Sequence, residues 1–218
     1  MERYKKNIEL LQNNNVYSKE MEHDACGVGL VASTQGKKSR EVVEYGIEAL
    51  KAVWHRGAVD ADGKTGDGAG IHLEIPKDFF IEKIEITGHK FDNAEICVGM
   101  IFLPRNNFES QETSRTIIER ELTKSNFSIY GWRQVPVNPK VLGEKADSTR
   151  PEIAQVLFKH NDIDLNGKDL ERRLYETRRK IENEAIKNSL DGLYICSLSS
   201  KSIIYKGMFL AESISDFY

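Results

Sequence analysis

The chain has 218 residues, of which 39% are hydrophobic and 30% charged, and it carries a formal net charge of -3. This is the balance of an ordinary globular protein with enough length for one full core, and it excludes a disordered or collagenous chain and a generally basic nucleic-acid binder. No apolar run is long enough for a bilayer-spanning helix, and MERYKK leads into mostly polar residues 12–17 where a signal peptide would place its apolar core, so a cytoplasmic, membrane-free protein is expected.

In chain order, residues 1–24 show charges, three consecutive asparagines and little periodicity, which predicts a loosely packed leader. A glycine-containing apolar strand is predicted at 26–33. Ser39 then offers a helix N-cap, and Val43, Ile47, Leu50 and Trp54 fall at i, i+4, i+7 and i+11 on one face of a helix that Gly57 can end. The loop HRGAVDADGKTGDGAG (55–70) holds five glycines and runs into a strand at IHLEI. Further strands are predicted at 96–103, 127–134, 153–160, 193–198 and 202–205, and helices at 109–123 and 168–186. The last two strands, joined by SSK, read as a hairpin, which favours an α+β domain with a mixed or antiparallel sheet. The ending AESISDFY offers no closing element and reads as a fragment.

The conspicuous motifs mostly dissolve on inspection. In a P-loop four residues separate the first glycine from the Gly-Lys pair, whereas five separate Gly57 from Gly63. Asp60, Asp62 and Asp67 miss the calcium-loop pattern, because Thr65 stands at its glycine and Ile71 at its terminal glutamate, so these aspartates read as a solvated acidic loop. The five histidines have no i, i+4 pair for a metal. ERRLYETRRKIENEA alternates its charges at helical spacing, as in Glu176 and Lys180, and reads as a solvated face. The three cysteines, Cys26, Cys97 and Cys196, lack paired spacing. Cys97 and Cys196 sit inside strand-like runs as small hydrophobes, which leaves Cys26.

DACGVGLVA, followed by a helix ending in HRGAVDADGKTGDGAG, resembles the start of the class II glutamine amidotransferase domain of the glutamate synthase large subunit, an N-terminal-nucleophile hydrolase. GWRQVPVNPKVLGEKADSTRPEIAQVLF and LYICSLSSKSIIYKGM extend the likeness to the end of the chain. The resemblance implies a four-layer α/β/β/α fold, incomplete at the C-terminus, with residues 1–25 as a propeptide or leader and 26–218 as the N-terminal part of the domain. It makes Cys26 the nucleophile that hydrolyses L-glutamine and places Arg56 and Gly57 at the substrate. For Arg56, a helix-end cation stands as the alternative. Gly66, Asp67 and Gly68 would shape the pocket wall.

The resemblance further implies no cofactor and no metal in this segment. For the full-length synthase it implies FMN, an iron–sulfur cluster, synthase domains of the same chain and a small reductase subunit. The family's HSRFST-like arginine and HNG-like oxyanion segments do not occur in these residues, and KHNDID (159–164) has Asp162 where glycine is required and reads as a loop. Oxyanion donors are each worth about 10²–10³ in rate, so this segment alone is expected to be nearly inactive. Two rivals stand beside this reading: a non-catalytic amidotransferase-like module that binds or regulates a partner, and an unrelated cysteine hydrolase pairing Cys26 with His55.

Overall fold

The strand β2 (Ile96–Leu103) is buried at almost every position, because both of its faces are covered. It pairs antiparallel with β4 (Glu152–His160) on one edge and β5 (Tyr194–Ser199) on the other, and β3 (Phe127–Gln134) extends the sheet beyond β4. The order is β3-β4-β2-β5. The computed structural model describes residues 2–14, 27–53, 58–92 and 94–218.

The two faces of this sheet carry separate apolar clusters. Cys97, Ile101 and Leu103 point to one side, where Ile117, Ile118 and Leu122 of helix α4 (Phe108–Lys124) and Leu170, Leu174 and Ile181 of helix α6 (Gly167–Lys187) cover them. Ile96, Val98 and Met100 point to the other side and meet Phe80 and Ile84 of α3 (Lys77–Ile86) and Ile203 of β6 (Ser202–Gly207). Gly99 lies between Val156 and Leu198, whose side chains would stand 2.6 and 2.9 Å from an added Cβ. Only a residue without a side chain lets the three strands close at that point.

A second, two-stranded sheet joins β1 (Ala69–Glu74) antiparallel to β6. Burial alternates along β1, with Ala69, Ile71 and Leu73 turned to the core and the intervening residues exposed. Helix α2 (Arg40–Ala52) begins where Ser39 Oγ accepts the amide of Val42, and its Ile47 and Leu50 add to the same cluster as Ile71. Short helices α5 (Glu144–Thr149) and α7 (Ile214–Phe217) close the end of the two sheets.

Four expectations change. The SSK segment does not make a hairpin: β5 pairs with β2 and β6 with β1, so the chain crosses from one sheet to the other at that corner. Glu171 of α6 holds the corner by accepting from Ser199 Oγ at 2.9 Å and from Ser200 N and Oγ at 2.8 Å. Residues 27–33 form no strand, since no described strand offers them a ladder, and Val28 and Leu30 are left exposed. The segment expected to be a leader holds a helix, α1 (Glu2–Asn13), although Leu10 and Leu11 on it remain exposed. In α6, Glu176 pairs with Arg172 and Arg173 in place of Lys180. Among the described residues no helix is long and apolar enough to cross a membrane.

Candidate active site

Cys26, His55, Arg56 and Gly57, with Trp54 before them, lie outside the described residues. The glycine-rich segment that follows them is described from Ala58 onward. It folds back on itself as a miniature hairpin with a bridge between Val59 and Gly66. Asp67 closes its base: the Asp67 carboxylate accepts the Ala58 amide at 2.8 Å, and Asp67 N donates to the Ala58 carbonyl at 3.3 Å. At the tip, Gly63 takes φ +71°, which a residue with a side chain rarely adopts.

The aspartates of this loop are not merely solvated. The Asp62 carboxylate accepts from Thr65 Oγ1 at 2.6 Å, from Thr65 N at 2.7 Å and from Lys64 N at 2.9 Å. These donors, the Thr65 hydroxyl first among them, hold its carboxyl down at about 2. Asp60 meets Lys145 Nζ at 2.6 Å, and this contact, with the Ala61 amide, lowers its carboxyl as well. Thr65 is 3% exposed and, with Gly66, is buried in a loop whose tip is open, and its hydroxyl receives the amide of Ala146 at 3.3 Å. The sequence reading takes Asp62 as solvated and gives Thr65 no partner. The signal was the D-x-x-T spacing, at which an aspartate side chain can accept backbone N–H groups two and three residues on.

Beside this hairpin lies a cleft of about 670 Å³. Asp67, Gly68 and β1 form one wall, Ala146, Thr149 and Arg150 of the α5 region another, and Lys206, Met208, Phe209 and Phe217 complete it. Of Gly66, Asp67 and Gly68, the three residues expected to shape a pocket wall, Asp67 and Gly68 line this cleft and Gly66 does not. The Arg150 guanidinium donates to Asp147 at 2.8 Å and holds that carboxyl below its usual range, with Arg105 also on Asp147 at 3.3 Å. Lys206 reaches the Tyr194 hydroxyl at 2.6 Å.

Cys97 and Cys196 are buried in the core, as their surroundings in the sequence predict. They belong to apolar clusters on opposite faces of the four-stranded sheet, and burial pushes both thiols up. Thiols so placed cannot converge as thiolate ligands, so these residues do not fit the ligand set of an iron–sulfur cluster.

An α/β body with two antiparallel sheets is consistent with the fold class of the N-terminal-nucleophile hydrolases. The chain belongs to the class II glutamine amidotransferases, a family it matches over residues 26–218. It is 51% identical to the glutamate synthase (NADPH) large chain of Azospirillum brasilense, across 99% of this chain and 14% of that protein. It is also 38% identical to the ferredoxin-dependent glutamate synthase of Pyropia yezoensis and 35% identical to the glutamate synthase (NADPH) large chain of Bacillus subtilis, across 96% and 93% of this chain. The chain spans 14% and 13% of the length of those two relatives.

Proposed function

We propose that this chain is the glutaminase part of a glutamate synthase, and that Cys26, freed by removal of residues 1–25, is its nucleophile. The observation that carries this reading is that the family match begins at Cys26 itself. A thiol titrates near about 8.5 and a terminal amine at roughly 7.7–8.0, so the amine of a mature Cys26 is partly neutral at physiological pH and can take the thiol proton directly or through water. The thiolate adds to the side-chain amide carbon of glutamine. The tetrahedral adduct expels ammonia after protonation, leaving a thioester, and water then attacks the thioester to release glutamate and regenerate the thiol. Arg56 and Gly57 sit at the substrate in this reading, with Arg56 pairing a carboxylate or bracing the terminus of Cys26.

In the four-layer α/β/β/α arrangement we assign, the cleft beside Asp67 belongs to the glutamine pocket. The remaining oxyanion and carboxylate groups come from residues outside this sequence. In the whole synthase, in the cytoplasm, the ammonia aminates 2-oxoglutarate at synthase domains of the same chain. FMN and an iron–sulfur cluster, held outside these residues and served by a small reductase subunit, supply the reducing equivalents.

Intact-mass analysis of the full-length protein tests the first step: the mature chain is expected to start at Cys26. Cys26→Ser is expected to lose glutaminase activity by on the order of 10³-fold or more. An active enzyme that retains residues 1–25, or a serine variant of normal activity, refutes the mechanism.

A further inference from the structure

Resting on the glutaminase reading above, we infer that Asp62, Thr65 and Gly143 form a positioning latch. It locks the hairpin that follows Arg56-Gly57 onto α5 and thereby sets the geometry at which glutamine meets Cys26. The first support is the way α5 is capped. Its N-cap residue is Gly143, which has no side chain to accept the orphan amides of the first turn. The cap arrives from a remote part of the chain: Thr65 Oγ1 accepts Ala146 N at 3.3 Å, across 81 residues of sequence, and the Asp62 carboxylate in turn accepts from that hydroxyl at 2.6 Å.

Gly143 is what makes room for that cap. A Cβ placed there would overlap Asp62 Oδ2 and Thr65 Oγ1, so any side chain at 143 evicts the capping hydroxyl and the carboxylate that holds it. Conversely, the Thr65 hydroxyl has both its functions committed, donating to Asp62 at 2.6 Å and accepting from Ala146. Directional bonds of this kind fix a relative position more tightly than an apolar contact of equal area would. The neighbouring Lys145–Asp60 ion pair lies on the surface and contributes little by itself.

The parts that the latch joins are the two walls of the cleft. Asp67 and Gly68 continue directly from the latched hairpin, whereas Ala146, Thr149 and Arg150 belong to α5 and its end. At the other end of the hairpin, Asp67 grips the amide of Ala58, the residue bonded to Gly57. A shift of the hairpin against α5 therefore changes the cleft width and displaces Ala58, the first described residue after Gly57. Misplacement by about 1 Å can cost about 10²-fold in a positioned reaction.

The test uses the full-length protein and two reagents for Cys26. 6-Diazo-5-oxo-L-norleucine needs the glutamine pocket, and iodoacetamide needs only the thiol. In Thr65→Val, which keeps the shape and removes both bonds, and in Gly143→Ala, alkylation by the diazoketone is expected to slow about 10-fold or more, with a raised KM for glutamine, while iodoacetamide reacts within about 2-fold of wild type. Thr65→Ser, which restores the hydroxyl, is expected to recover both values. Unchanged diazoketone rates in Thr65→Val, or equal slowing of both reagents, overturn the latch. A wild-type protein whose Cys26 the diazoketone does not label, while Thr65 variants behave normally toward iodoacetamide, refutes the glutaminase reading itself.

Discussion

At the scale of single residues, Asp62 carries a pH signature. Its carboxyl is held at about 2, against an ordinary 3.8, by the Thr65 hydroxyl and by amides of the loop and α5. A carboxyl lowered on folding adds stability that is complete above its unfolded value and fades as the pH falls through the folded one. The thermal midpoint of wild type is therefore expected to exceed that of Asp62→Asn by a constant gap from about pH 5 to about pH 8, and the gap is expected to close between about pH 4 and about pH 2. A gap that opens instead near neutrality would mean that another group is responsible. The loop's length and glycines could be read from HRGAVDADGKTGDGAG, but its partners could not. The D-x-x-T spacing announces the local bonds of Asp62 to Thr65, but the Ala146 amide that ties Thr65 to α5 stands 81 positions away in sequence, and nothing local announces it.

Among the elements, those with strong local patterning were legible and those that depend on distant partners were not. β2 and β3 have the bounds expected from their apolar and β-branched runs, and Ser39 caps α2 as its position before an amphipathic repeat suggests. α3 was missed because it is short and buries only Phe80 and Ile84. The final pair was misread for a physical reason: two strands and a short polar turn specify a reversal, but not whether both strands share one ladder. The sheet change is fixed by Glu171, which lies in a different element. Ser199 and Ser200 are buried, so removing their acceptor strands polar groups without water. Glu171→Ala is expected to cost about 2 kcal/mol in urea unfolding with an unchanged m-value. A loss within experimental error would show that the corner is held by strand pairing alone.

Across the whole molecule, stability is distributed unevenly. The four-stranded sheet is covered by apolar clusters on both faces, with β2 and β4 in its middle. By contrast, no described residue of α1 or of 27–33 is buried, and Val28 and Leu30 are 88% and 92% exposed. Local opening follows burial and hydrogen bonding, so amides of β2 and β4 are expected to exchange only at the free energy of global unfolding, whereas those of α1 and of 27–33 exchange through small local fluctuations. Hydrogen-exchange mass spectrometry of full-length protein whose intact mass shows residues 1–25 still attached measures this directly. The same contrast bears on the maturation step proposed above. A peptide bond can be cut only where the chain can adopt the geometry of cleavage, and the described segments that flank the Ala25–Cys26 bond in sequence, 2–14 and 27–33, hold no described residue that is buried. Removal of the leader should then leave the protection of β2 and β4 unchanged. If those strands lose protection on maturation, the leader is part of the core's support and its release is a folding event, not a trimming of the surface.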